Sequence, residues 1–282
     1  TQLIIADGRN YLLANTKKYD IVSSEPSNPW LSGSSKLFTK EYFKQLKNAS
    51  KEDGIVIHWV IMYAIGIKGL QSVINAYLEV FPEVSAFGIP ISNDLLLLGS
   101  NKPLKINMQE LQNKFKIETI KKDLHKASIE EPFEILTRFY LDKDALTKIA
   151  KGTPTNTDNR PFLEFQAPKK LYFEISENPW RILYDNFTPV SQITLNSSEE
   201  QLAKAEEFRQ ARVLTRIYYV EKNIGEGIKY AQTALSLDLD NPYLKASFAR
   251  FYFEQGNAYF KGKDYQKAAE SYEKSLSLKE TP

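Results

Sequence analysis

Tyr19-Asp20-Ile21-Val22-Ser23, running into Ser24-Glu25-Pro26-Ser27-Asn28-Pro29-Trp30, sets a short apolar strand pattern against a polar, proline-stiffened loop that opens on a carboxylate. Upstream, Leu3-Ile4-Ile5-Ala6 reads as a buried strand delivering Asp7-Gly8, with Tyr11-Leu12-Leu13 as a short helix between the two runs. Downstream, Tyr42, Phe43, Leu46 and Ala49 recur at helical spacing, and the turn Lys51-Glu52-Asp53-Gly54 leads into the strand Ile55-Val56-Ile57. Leu70, Val73, Ile74, Tyr77, Leu78 and Phe81 draw a second helical stripe that Pro82 closes. Val84 to Ile89 and Leu95 to Leu98 then flank Pro90-Ile91-Ser92-Asn93-Asp94 as an antiparallel hairpin. Strands alternating with helices predict an α/β fold built on a parallel sheet and finished by that hairpin.

From Lys102 to Ala150 the apolar positions suit short helices that would cap the sheet. Thr153-Pro154-Thr155-Asn156-Thr157-Asp158-Asn159-Arg160-Pro161 breaks the periodicity with a polar loop, a kind of segment that often carries function. Asp158 and Arg160 on it suit either a lid or a salt bridge between elements. Beyond Ser197 the pattern turns to helices dense in Tyr and Phe, with 13 of the 35 aromatic residues falling in 201–282, which marks a second, all-α region. There Tyr252, Gly256, Tyr259, Tyr265, Ala268, Tyr272 and Leu276 place small and aromatic residues where two antiparallel helices interlock. Tyr252 to Leu278 therefore resembles a tetratricopeptide repeat, and Ala231, Ala234 and Leu235 resemble the second helix of a more degenerate copy. Such repeats imply a protein partner.

With 282 residues the chain affords one large domain or two modest ones. Its 37 Lys and Arg against 35 Asp and Glu leave a net charge of +2 and no global field for a polyanion, so nucleic acid is not an expected partner. Cys is absent, which removes disulfides, thiolate catalysis and Cys-based metal sites; His58 and His125 stand too far apart for a His-pair zinc motif, so no metal is expected. The apolar run from Gly54 to Ile67 is too short for a membrane span. No initiator Met or signal-like stretch precedes Thr1, so the chain reads as a piece of a longer one.

Acids at the carboxyl ends of parallel strands face the crevice where α/β sheets bind ligands, and Asp7 and Glu25 occupy those positions. Asp7-Gly8 suits an amine donor and the close approach of a flat ring; Glu25, Asn28 and Trp30 suit gripping and deprotonating an amine. Strand-end acids also serve as helix caps or solvated loop charges. His58 and Trp59 lie at a strand end near Tyr63, where His58 fits either a substrate contact or the core.

Ala6-Asp7-Gly8-Arg9-Asn10-Tyr11-Leu12, Tyr19-Asp20-Ile21-Val22, Glu25-Pro26-Ser27-Asn28-Pro29, Leu37-Phe38-Thr39-Lys40-Glu41-Tyr42-Phe43 and Lys51-Glu52-Asp53-Gly54, in this order and spacing, resemble the second half of a spermidine synthase type aminopropyltransferase. The run from Glu25 to Trp30 and that from Asn156 to Phe165 are most similar to bacterial spermidine synthase-like proteins often fused to a membrane domain. The resemblance implies a partial Rossmann-like methyltransferase fold in residues 1–170, a linker over 171–200 and tetratricopeptide-like repeats over 201–282. It implies decarboxylated S-adenosylmethionine as aminopropyl donor, with S-adenosylmethionine and methyl transfer as the alternative, and a diamine such as putrescine as acceptor in polyamine biosynthesis. A decayed transferase domain serving as a protein-binding platform is the other alternative. Asp7 inherits the contact with the adenine amine, Gly8 the lining of the ring, and Glu25 the catalytic base, where the family carries Asp. Asn28 replaces a second family Asp that contacts the diamine; Trp30, His58 and Tyr63 are the other substrate-binding candidates. The family further implies a homodimer and a cytoplasmic location, including the cytoplasmic side of an inner-membrane protein with its membrane domain upstream.

Overall fold

The computed structural model describes residues 2–31, 33–63, 65–89, 93–127, 129–172, 178–238 and 241–278. In chain order the first part runs α1 (Gly8–Ala14), β1 (Tyr19–Ser24), a 3-10 turn (Ser34–Phe38), α2 (Lys40–Ala49), β2 (Ser50–Ile61), α3 (Gly66–Leu78), β3 (Glu83–Ile89) and β4 (Asp94–Ser100). The middle part holds β5 (Ile106–Asn107), α4 (Met108–Phe115), α5 (Glu118–Lys126), α6 (Phe133–Leu136), β6 (Phe139–Leu141), α7 (Lys143–Ala150), α8 (Phe162–Tyr172), α9 (Pro179–Tyr184) and β7 (Thr194–Leu195). Four longer helices follow: α10 (Glu199–Val220), α11 (Ile224–Leu237), α12 (Pro242–Lys261) and α13 (Tyr265–Ser277). None of the helices among the described residues is long and apolar enough to cross a membrane.

The chain divides into two units, one of residues 1–89, 93–105 and 139–188 and one of residues 90–92, 106–138 and 189–282. The first is built on a five-stranded mixed sheet in the order β1-β2-β4-β3-β6. β1 and β2 are parallel, with Ile21 opposite Ile55 and Ser24 opposite His58. The expected hairpin forms, with β3 and β4 antiparallel from Glu83 opposite Ser100 to Ile89 opposite Asp94; its expected tip at Pro90-Ile91-Ser92 lies outside the described residues. Because β4 also pairs antiparallel with β2, the returning hairpin arm inserts between β2 and β3, so the sheet is mixed rather than parallel.

Burial alternates along these strands as one-face packing of a sheet requires: Val56, His58 and Val60 on β2, Val84 and Ala86 on β3, Leu95 and Leu97 on β4. Phe43 and Leu46 of α2 and Leu70, Val73 and Tyr77 of α3 are likewise fully or almost fully buried. Leu3-Ile4-Ile5-Ala6 does not form the expected buried strand. Leu3 is 85% and Ile5 93% exposed, because the backbone there finds no neighbouring strand among the described residues, and a strand exists only as part of a ladder. The expected cap over 102–150 also divides: α7 belongs to the sheet unit, whereas 106–138 cluster with the second unit.

A buried amide ties the sheet unit together. Asn156, 0% exposed, donates from Nδ2 to the Phe38 carbonyl (2.9 Å) and accepts at Oδ1 from the Leu163 N–H (3.1 Å). Its backbone accepts from Lys40 N–H (3.0 Å) and donates to the Ser72 carbonyl (3.4 Å).

In the second unit α10 packs on α11, α11 on α12 and α12 on α13, the stacking of helical hairpins expected from the tetratricopeptide pattern. Both hairpin turns use the same device: Lys222 and Lys263 adopt positive φ (57° and 63°), and the next residue, Asn223 or Asp264, caps the following helix. At Gly256 a Cβ would come within 2.5 Å of the Tyr272 ring, which accounts for the small residue at that crossing.

Asn156→Ala leaves the Phe38 carbonyl and the Leu163 N–H buried without partners, and should cost about 2 to 4 kcal/mol. The measurement is the urea midpoint of the variant; a midpoint equal to that of the wild type would refute the role given to the amide.

Candidate active site

Because β1 and β2 are parallel, their carboxyl ends lie side by side, which brings the loop after Ser24 and the residues after Ile61 to one edge of the sheet. Ser24 is buried, and its hydroxyl is 2.9 Å from that of Tyr42. Glu25, the next residue, turns outward: it is exposed, and its carboxylate has no partner among the described residues. Pro26 and Pro29 are buried and pin the loop on either side of the half-buried Asn28. Trp30 then reaches the exposed Tyr63, ring centres 5.4 Å apart and tilted by 55°. The structure therefore gathers Glu25, Asn28, Trp30 and Tyr63 at one edge.

Asp7 precedes α1 and caps it, accepting at Oδ1 from the Asn10 N–H at 2.9 Å. Capping engages one oxygen of an exposed carboxylate, so the cap reading of this acid holds while its other oxygen stays available. Gly8 is exposed, and a Cβ added to it would meet nothing within 4 Å. No packing among the described residues demands glycine at that point. Burial pushes the Tyr42 phenol up, against the opposing pull of its hydrogen bond to Ser24 and of the Arg9 charge.

Arg9, two residues after Asp7, fastens α1 to the rest. It grips Asp158 with both nitrogens (3.1 and 2.7 Å) and donates to the Lys36 carbonyl (3.2 Å). Asp158 also accepts from the Thr39 hydroxyl (2.7 Å), and its N–H donates to the Glu41 carboxylate (2.8 Å). The hydrogen bond to Arg9 holds the Asp158 carboxyl below the usual carboxylate range and raises the Arg9 pKa in return. Asp158 is accordingly the inter-element salt bridge of the two roles open to it. Arg9 and Tyr42 had no assigned role in the sequence.

His58 is not at this edge. It is 0% exposed and surrounded by the rings of Phe43 (4.8 Å between centres), Phe38 (5.1 Å), Tyr42 (6.3 Å) and Tyr77 (6.4 Å). Neither ring nitrogen has a hydrogen-bond partner among the described residues, and burial lowers its pKa from the ordinary 6.5 to about 3. The expectation that His58 contacts substrate is corrected by its position: the parity of β2 puts it on the core face with Val56 and Val60.

Residues 1–95 match the spermine/spermidine synthase domain, and residues 249–282 match the tetratricopeptide repeat. Among curated proteins the chain is similar to the polyamine aminopropyltransferase of Saccharolobus solfataricus, 28% identical over 87 residues, which are 30% of this chain and 29% of that protein. Among solved structures it is similar to one described as a probable spermidine synthase from Corynebacterium glutamicum, at 16% identity and a TM-score of 0.40, covering 55% of this chain and 53% of that one. The chain thus spans less than a third of the curated relative and about half of the solved one. A spermidine synthase-like domain in the amino-terminal part and a tetratricopeptide repeat in the carboxyl-terminal part are the two family features of this sequence.

Since His58 is neutral when folded and protonates near 6.5 when unfolded, the unfolded state binds the extra proton between those limits. The stability it contributes is complete above 6.5 and falls by about tenfold in the folding constant per pH unit below it, down to about 3. Urea midpoints taken from pH 7.5 to 5.5 should decline for the wild type and stay level for His58→Leu; parallel slopes would place the titration elsewhere.

Proposed function

We propose that the edge holding Asp7, Gly8, Glu25, Asn28, Trp30 and Tyr63 is part of an aminopropyltransferase site, which passes the aminopropyl group of decarboxylated S-adenosylmethionine to a diamine such as putrescine. The observation that carries the reading is a pair of exposed carboxylates inside the stretch that matches the spermine/spermidine synthase domain, Asp7 at the start of α1 and Glu25 at the carboxyl edge of the parallel β1–β2 pair. The residues present fit the donor. The available oxygen of Asp7 suits an adenine amine, and the open flank of Gly8 admits a flat ring.

When bound, the donor supplies a carbon already activated by its positive sulfur. Glu25 orients the acceptor amine toward that carbon and takes its proton as the nitrogen–carbon bond forms, while the breaking carbon–sulfur bond leaves its electron pair on sulfur. Trp30 and Tyr63, packed on each other, wall the acceptor side and exclude water around the amine. Asn28 offers an amide to the acceptor but no charge, which lowers the attraction for a dication and favours acceptors with a single cationic group near that position.

The reading extends to the rest of the chain. Residues 1–170 serve as the transferase part, 171–200 as a linker and 201–282 as repeats that hold a protein partner, in a cytoplasmic homodimer of bacterial polyamine biosynthesis. A membrane domain upstream would set the chain on the cytoplasmic side of the inner membrane.

The test incubates the full-length gene product with decarboxylated S-adenosylmethionine and putrescine, with S-adenosylmethionine in a parallel arm, and follows methylthioadenosine and spermidine by mass spectrometry. Both products are expected in the first arm. A methylated amine in the second arm alone would shift the assignment to methyl transfer, and no product in either would leave the platform reading. Glu25→Gln should lower turnover by about 100-fold or more, with nucleoside binding intact. Asp7→Ala should weaken the nucleoside by about 1.5 to 3 kcal/mol in a calorimetric titration. Wild-type turnover in the first variant, or wild-type affinity in the second, removes the role concerned.

A further inference from the structure

Within the second unit, α10 and α12 line a groove of about 480 Å3. Arg212, Arg216 and Tyr219 enter it from successive turns of one face of α10, and Arg250, Phe251 and Phe253 enter it from α12. Three guanidinium groups therefore serve one concave surface. None of the three makes an ion pair among the described residues, whereas Arg209, one turn earlier on α10, is paired with Glu206. Arg212 is 7% exposed and donates Nη1 to the Thr137 hydroxyl (3.2 Å), but its Nε, like that of Arg216, is buried without a partner.

The ring of Tyr219 lies under two like charges, with the Arg216 guanidinium 5.5 Å and that of Arg250 4.7 Å from its centre. Burial, and then the neighbouring Arg250, pull the Arg216 pKa down. Holding these cations together without a counter-charge is unfavourable, and an anion in the groove would relieve it. The apolar character of the groove, with Phe253 48% exposed beside the cations, calls for a ligand that carries both carboxylates and apolar side chains. A nucleic-acid strand is disfavoured, because α10 also carries Glu199, Glu200, Glu206 and Glu207 and the chain's net charge is only +2.

We infer that this groove binds an acidic peptide segment of a partner protein, with carboxylates on Arg216 and Arg250 and an adjacent apolar side chain against Phe253. The inference rests on the reading of the helical repeats as a protein-binding region and gives that partner its chemistry. A groove of this volume accommodates a few side chains of an extended segment. Arg250, exposed at the rim, meets the segment first, and Arg216 and Arg212 complete the contact in a less polar setting where a charged hydrogen bond is stronger.

Fluorescence anisotropy on the intact protein tests this with a short labelled peptide alternating Glu and Phe, its Gln-for-Glu counterpart and its Lys-for-Glu counterpart. The acidic peptide should bind about tenfold or more tightly than the Gln peptide and weaken as salt rises. The double variant R216Q/R250Q should erase the difference between them; if it fails to fold, R250Q alone, at an exposed position, should reduce it severalfold. Equal binding of the Glu and Gln peptides, or wild-type preference in R250Q, overturns the proposal. Binding of the Gln or Lys peptide alone overturns the acidic chemistry but leaves a protein-binding groove, and binding of none removes both. Inorganic phosphate competing as well as the unlabelled acidic peptide would mean a small-anion site and would likewise overturn it. Product formation in the transferase assay is independent of every one of these outcomes.

Discussion

The side chain of Asn156 satisfies two buried backbone groups from segments far apart in sequence, the Phe38 carbonyl and the Leu163 N–H, and its own backbone meets Lys40 and Ser72. A buried amide with all these partners is stabilising only while the set is complete, since each unpartnered group in such a place carries the full desolvation cost. The polar loop around it is fastened in the same manner. Ser72 donates to the Pro154 carbonyl at 2.6 Å, and Asn75 donates to the Thr153 carbonyl at 2.6 Å and to that of Ala150 at 2.9 Å. The segment 153–163 is thereby held to α3 and to the start of α2, which fixes where Asp158 points. Asp158 in turn receives Arg9, and through Arg9 the first turn of α1 is fastened to the segment from Lys36 to Thr39. The chain of cause runs from a core amide to an exposed carboxylate at Asp7.

Electrostatics at that edge differ in kind from those of the core. Asp7 and Glu25 are open to water, where a charge is well solvated and its interactions are screened. An exposed carboxylate gains strength as a base only when the solvent around it is displaced. His58 is the opposite case: fully buried, stripped of hydrogen-bond partners and held neutral by its surroundings, it contributes packing rather than proton transfer. Of two titratable groups close to one another in the β1–β2 pairing, Glu25 is the one open to solvent.

What could be read from the sequence follows the range of the forces involved. β2, α3 and the β3–β4 hairpin announce themselves by alternation with period two or by a helical stripe, because each buries one face and needs only local pattern to do so. The Asp-Gly pair and the loop from Glu25 to Trp30 were legible as motifs, and the edge position of the loop followed from the parallel pairing of β1 and β2. Leu3 to Ala6 has the composition of a strand yet forms none, since a ladder needs a neighbour that composition does not reveal. The bidentate pair between Arg9 and Asp158 spans most of the first unit, and no local period encodes so long a separation. The burial of His58 was encoded, because it alternates with Val56 and Val60, although its nearness in sequence to Tyr63 suggested the opposite.

The net charge shows how a sum conceals its parts. Thirty-seven cations against thirty-five anions leave almost no long-range field, which argues against a polyanion steered to the surface as a whole. The same sum is compatible with two guanidinium groups, Arg216 and Arg250, that have no acid partner among the described residues of one groove, because the acids of α10, Glu199, Glu200 and Glu207, are not in its lining. Attraction at such a site is short in range and depends on contact and desolvation, so shape and apolar surface select the ligand together with charge. Gly227 and Gly256 support that shape from behind: with a Cβ at either, Phe251 and Tyr272 would have to move, and Phe251 lines the groove itself. The small residues that mark the repeat in the sequence thus let its helices approach closely enough for Arg250 to stand beside Arg216 over a single aromatic ring.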